Sequence, residues 1–168
     1  MNAKTGVSVE EYLRTSFGDL DREYREGEVV ERTMPDYLHG RTQLRLAGFF
    51  HGLEEKGVAL FACTETRMRL SANTVLIPDA AVFWPEEPKS RVPEEPPLIV
   101  VEILSPDDRM QEVRQKLAEY RTWGVAHVWL VDPYLRRLYE CDEGLREVSS
   151  FSLPELSLEI GPTDVFAS

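Results

Sequence analysis

The sequence predicts a single α/β domain with a mixed central β-sheet flanked by helices. Residues 98–104 and 126–132 are nearly continuous apolar runs, the pattern of strands covered on both faces. The stretch between them has the length of a helical crossover joining parallel strands. Residues 37–56 form a second helical pattern, with Leu46, Phe49, Phe50 and Leu53 at the i, i+3, i+4, i+7 spacing of one buried stripe.

Taken in order, Ser8-Val9-Glu10-Glu11 is a capping-box pattern opening a short helix that carries Tyr12, Leu13 and Phe17. A hairpin follows, with Glu26-Gly27 at its turn and Glu28 on its return strand. Gly57 stops the long helix. Three extended pieces come next, over 58–62, 66–70 and 74–84. Residues 85–97 hold Pro85, Pro88, Pro93, Pro96 and Pro97, which makes this segment a proline-rich surface loop. After the strand at 98–104, Ser105-Pro106-Asp107 opens a helix with Met110, Val113, Leu117 and Tyr120 on its buried side. Asp107 and Asp108 are most simply read as stabilising that helix's N-terminus, and Gly124 ends it. The strand at 126–132, a turn at Pro133-Tyr134 and a last strand at 135–141 complete the prediction. Trp84, Trp123 and Trp129 read as core or edge aromatics, with base stacking an alternative for Trp84 beside the loop.

With 168 residues, 42% of them hydrophobic, the chain suits one domain over 1–168 and is not disordered. No apolar run approaches the ~20 residues that cross a bilayer. The first six residues lack the apolar core of a secretory signal. Cys63 and Cys141 are too few for a disulfide framework or a Cys-ligated zinc site, so a reducing cytoplasmic setting is expected. Acidic residues number 30 against 19 basic, a formal net charge of −11. That balance argues against a protein that coats nucleic acid through a broad positive surface. Between 32 and 70 the balance reverses slightly, through Arg32, Arg41, Arg45, Lys56, Arg67 and Arg69.

Two carboxylates stand where apolar residues are expected. Glu102 has Ile99, Val100 and Val101 before it and Ile103 and Leu104 after it; Asp79 sits inside 75–83. A buried carboxylate is costly unless it is paired, hydrogen-bonded or metal-bound. Each acid can meet an arginine or cap a turn; two convergent acids also make a hard oxygen site suited to Mg²⁺ or Mn²⁺. Pro78 marks a bend that can re-aim Asp79. Lys116 borders the buried stripe of its helix. It either snorkels on the flank or reaches the sheet, where an ammonium orients water and offsets charge on a phosphate. His39, Arg41 and Arg45 at the start of the long helix are candidate substrate contacts, a structural role being the alternative for His39. His51 and His127 do not form zinc-binding spacing with it.

Residues Ile77-Pro78-Asp79-Ala80-Ala81-Val82 and 97–106 resemble the two strand motifs of PD-(D/E)XK nucleases, and most closely the Uma-type restriction-endonuclease family. Lys116-Leu117-Ala118-Glu119-Tyr120 and 124–133 are similar to that family's next helix and strand, and Glu26 to Val30 and His39 also fit. The resemblance runs from about Tyr12 to the C-terminus. It implies a restriction-endonuclease-like fold and a metal-dependent endonuclease acting on DNA, with Asp79 and Glu102 as Mg²⁺ ligands and Mn²⁺ as a substitute. The position two after the glutamate, lysine in the usual motif, is Leu104; Lys116 matches the migrated lysine of Uma-type members. Glu28 is either the extra acidic ligand that many superfamily members carry or a solvent-facing hairpin glutamate. Superfamily members often work as dimers, so a homodimer is also implied. The rival reading is a catalytically inactive nuclease-fold binding or assembly module, favoured by Leu104 and the acidic surface. A nuclease for RNA or structured DNA is a third.

Overall fold

In the computed structural model residues 6–167 are described; residues 1–5, part of the segment read above for a signal, and Ser168 lie outside them. Helix α1 (Val9–Arg14) is capped by Ser8, whose Oγ accepts the Glu11 amide at 3.1 Å. Strands β1 (Glu23–Arg25) and β2 (Glu28–Val30) form the expected hairpin. Its turn has positive φ at both Glu26 (48°) and Gly27 (88°), the demand of a tight primed turn. Helix α2 (Tyr37–Glu55) starts at Asp36, which accepts the His39 amide at 3.0 Å. Then come β3 (Phe61–Thr64), β4 (Met68–Ser71), β5 (Thr74–Leu76), β6 (Ala80–Phe83) and β7 (Ile99–Ile103). Helix α3 (Met110–Trp123) ends on Gly124 in the left-handed conformation. Strands β8 (His127–Asp132), β9 (Arg137–Cys141), β10 (Leu145–Val148), β11 (Phe151–Leu153) and β12 (Leu158–Ile160) precede the short α4 (Pro162–Val165).

A six-stranded sheet runs β10-β9-β8-β7-β6-β3, with β7 and β8 parallel and joined through α3, as the two apolar runs demand. The other pairs in it are antiparallel, so the sheet is mixed. A second sheet runs β2-β1-β5-β4, and β11 pairs with β12. On one face of the large sheet, Leu46 and Phe50 of α2 pack with Ile99, Val101, Trp129 and Phe151. On the other, Leu117 and Tyr120 of α3 pack with Val100, Val128 and Leu130. No helix among the described residues is long and apolar enough to cross a membrane.

Several expectations change: Phe17 lies beyond the end of α1 at Arg14, and the first extended piece begins at Phe61 instead of 58. The extended piece expected over 74–84 is two strands in different sheets, because the chain leaves the small sheet after Leu76 and enters the large one at Ala80. Pro78 lies at that switch and, lacking an amide, adds no ladder bond there. The helix expected to open at 105–107 begins only at Met110, which is 40% exposed, while Val113 is half-buried. The cause is Asp108: its carboxylate accepts the Ser105 amide at 2.7 Å and the Thr33 hydroxyl at 2.5 Å. That local turn competes with helix, and α3 starts with no side-chain cap. The segment after Cys141 adds two hairpin pairs and α4, which no sequence pattern announced.

Candidate active site

The pairing of β6 with β7 sets Ala80 opposite Val101 and Ala81 opposite Val100. One step further along this register, Asp79 stands opposite Glu102 at the end of β6, where the chain passes between sheets. Side chains alternate along a strand, so Glu102 shares the face of Val100, which α3 covers. Lys116 and Tyr120, one helical turn apart on α3, both reach it. The Lys116 Nζ lies 2.8 Å from Glu102 Oε1 and 2.6 Å from Glu23 Oε1, and donates to the Ile77 carbonyl at 3.0 Å. The Tyr120 hydroxyl donates to Glu102 Oε1 at 3.0 Å. Among the described residues no hydrogen bond reaches Glu102 Oε2.

Asp79 is held from the other side. Its Oδ2 accepts the Ile103 amide at 2.7 Å, and its Oδ1 lies 3.3 Å from His39 Nε2 and 3.5 Å from an Arg32 guanidinium nitrogen. Arg32 also pairs with Glu65 at 2.6 Å, and Gln43 donates to both Glu65 and the Asp79 carbonyl at 2.8 Å. All of these except Gln43, Ile77 and Tyr120 line one cavity of about 330 Å³.

Burial pushes the Glu102 carboxyl up to about 8; Lys116 opposes this, and the neighbouring Asp79 and Glu23 charges reinforce it. Burial pushes Asp79 up as well, but the His39 hydrogen bond and charge, Lys116 and the Ile103 amide outweigh it and hold that carboxyl below its usual range. Burial depresses His39, and Asp79 more than restores it, so the imidazole is raised. Asp79 is therefore the readier of the two facing acids to ionise, and Glu102 depends on nearby cations to carry its charge.

The geometry brings Asp79, Glu102, Lys116 and His39 together and leaves out Glu28, Arg41 and Arg45. Glu28 is exposed and outside the cavity lining. It pairs with Arg25 at the turn end of the hairpin, whereas Val30, opposite Glu23, sits at the cavity end. Two residues along a strand are roughly 6.6 Å, enough to give the acidic position to Glu23. Arg45 instead donates to the Thr163 carbonyl at 2.8 Å, tying α4 to α2, and Arg41 is half-buried away from the cavity. Glu23, Arg32, Glu65 and Tyr120 were missed as site residues; for Glu23 the available signal was that the hairpin carrying Glu28 holds further acids. Leu104 forms part of the cavity wall.

A family model described as "Putative restriction endonuclease", Uma2, matches residues 9–161. The chain belongs to the Uma2 family. The Uma2 chain is also similar to a crystal structure titled as a putative nuclease from Anabaena variabilis, with a TM-score of 0.77 at 21% identity. The alignment covers 95% of this chain and 97% of that one, so the two share a fold along their whole length. The search of curated proteins gives no match.

Whether the Uma2 site suits a divalent cation turns on its donors. Among the described residues no three His, Cys, Asp or Glu side chains form a preformed cage. Asp79 and Glu102 are two hard oxygen donors on facing strand positions, and Mg²⁺ takes one or two carboxylates while keeping several waters. The donor set fits Mg²⁺ or Mn²⁺ and is unlike a zinc site.

Proposed function

We propose that this chain is a metal-dependent endonuclease that hydrolyses phosphodiester bonds in DNA, with Asp79 and Glu102 holding Mg²⁺. The observation that carries the reading is the facing pair Asp79 and Glu102 with the Lys116 ammonium 2.8 Å from the glutamate, inside an open cavity. When bound, Mg²⁺ would supply Lewis-acid polarisation of the phosphate and lower the pKa of a coordinated water. The rest falls to the chain's own side chains. Lys116, fixed by Glu23 and Ile77, presents its ammonium where charge develops on the phosphate. Tyr120 and Lys116 together hold Glu102 Oε1, leaving Oε2 for the cavity. The Ile103 amide and His39 orient Asp79.

The test is cleavage of DNA with Mg²⁺ or Mn²⁺, alongside the melting temperature with and without each metal. Wild type should cut and gain stability from the metal. Asp79→Ala and Glu102→Ala should fold and do neither. No cleavage together with a melting point indifferent to both metals would refute the reading.

A second reading, a catalytically inactive binding or assembly module, rests on one observation. Arg32 and His39 already face Asp79, and Lys116 faces Glu102, so protein cations alone neutralise much of the acid pair. Calorimetric titration with Mn²⁺ separates the two, since such a module needs no divalent ion.

A further inference from the structure

We infer that the cavity receives an unpaired nucleotide, so that the substrate is a single strand or an extruded base rather than a continuous duplex; this rests on the nuclease reading. Beside the charged floor formed by Asp79, Glu102 and Lys116, the cavity has apolar walls. Leu20 and Val30 come from the hairpin side, and Leu104 and Val113 from the β7–α3 side. A space of about 330 Å³ with an apolar wall beside two carboxylates suits a base and its sugar next to a metal-held phosphate.

The charges lead the same way. Among the described residues the arginine and lysine side chains that line the cavity are each engaged by a carboxylate: Arg25 by Glu119, Arg32 by Glu65 and Asp79, and Lys116 by Glu23 and Glu102. Glu31, Asp108 and Glu112 add further negative charge to the lining. A duplex brings a dense row of phosphates along both strands and needs cations to track them. The described residues place no such row at this mouth, which leaves one phosphate to a divalent ion and the rest of the nucleotide to non-ionic contacts.

The rim supplies those contacts. Met34, 61% exposed, lies between Thr33 and Pro35, both in the cavity lining. Their loop is fastened across the cavity by the bond from Thr33 to Asp108. An exposed thioether beside the opening is an apolar contact for a base face, and only unpaired bases offer a free face.

The experiment measures binding and cleavage separately. A dye-labelled oligonucleotide is titrated by fluorescence anisotropy in Ca²⁺ as a single strand, as a duplex and as a duplex with one unpaired base, in DNA and RNA forms. The single strand and the unpaired base should bind about tenfold tighter than the duplex. Met34→Ala should weaken single-strand binding about fourfold with an unchanged melting temperature. Val113→Trp, which fills the wall, should abolish binding, and its melting temperature checks that it folds. Equal affinity for duplex, no effect of Met34→Ala, or no binding at all would overturn the inference. Cleavage in Mn²⁺ then reports on the nuclease reading: selective binding without cutting, together with a melting point indifferent to Mg²⁺ and Mn²⁺, refutes that reading alone, whereas equally fast cutting of duplex refutes only the inference. The DNA and RNA arms identify the sugar.

Discussion

The Lys116 Nζ lies 2.8 Å from Glu102 Oε1, an ammonium from α3 meeting a carboxylate in the fourth position of a five-residue buried strand. The same nitrogen reaches Glu23 on β1 and the carbonyl of Ile77 where the chain changes sheets. One side chain thus binds together the hairpin, the strand switch and the central sheet. This explains how two acids survive in the interior: each has a cation or amide donors within reach.

Removing that ammonium should be costly. Lys116→Met leaves Glu23 and Glu102 buried without their shared cation, and should lower unfolding free energy by about 3 kcal/mol, the order seen when one partner of a buried pair is lost. Adding Glu23→Gln to the Lys116→Met variant should recover part of the loss. Urea denaturation of the two variants checks this, and equal stability of wild type and Lys116→Met would refute it.

Asp79, Glu102 and Lys116 were legible because an acid inside an apolar strand breaks its own pattern, and because a lone lysine beside a buried helical stripe does the same. The parallel pair β7 and β8 was legible from continuous apolar runs. Glu23 was not, since β1 is three residues long and carries no period, and hairpin register, not composition, decides whether Glu23 or Glu28 meets the cavity. Arg45 looked like a substrate contact because its partner Thr163 lies 118 residues away in a segment without pattern. Met110 looked buried because the local bonds of Asp108, which delay the helix, leave no trace in hydrophobic spacing.

Tyr120 should act through Glu102. Its buried hydroxyl shares Oε1 with Lys116, so Tyr120→Phe keeps the ring in the core and removes a single bond. Stability should fall by about 1 kcal/mol. Affinity for Mn²⁺ should fall by about tenfold, the order expected when the partner of a metal ligand is lost. Calorimetric titration of the variant reads the second effect, and unchanged Mn²⁺ affinity would show that Tyr120 only packs.

Acid stability should depend on Asp21 and Arg67. Arg67 makes two bonds to Asp21, at 2.8 and 2.7 Å, while also donating to the carbonyls of Tyr12, Leu13 and Thr15 at the end of α1. Burial raises the Asp21 carboxyl, but the Arg67 hydrogen bonds and the Arg22 amide bring it below its usual value. The folded chain therefore releases this proton more readily than the unfolded one. The stabilisation is present above the usual carboxylate range and is lost as pH falls through the folded-state value. Melting curves from pH 7 down to about pH 3 should show wild type losing more stability than Asp21→Asn, with the gap closing below about pH 4. Parallel curves would refute the assignment.

Nucleic-acid affinity should respond to the divalent ion far more than to monovalent salt. Binding that neutralises many phosphates with lysine and arginine weakens steeply as salt rises, because each contact releases a counterion. Here Arg25, Arg32 and Lys116 are occupied within the cavity, and the chain carries a net charge of −11. A bound phosphate must then be neutralised chiefly by the metal proposed at Asp79 and Glu102. In saturating Mn²⁺, a plot of log affinity against log salt should have a slope near −1 to −2, the signature of one or two phosphate contacts. Chelating the metal should remove binding altogether. A slope of about −5 or steeper, or binding that survives chelation, would instead reveal a basic surface outside the cavity and detach recognition from the acid pair.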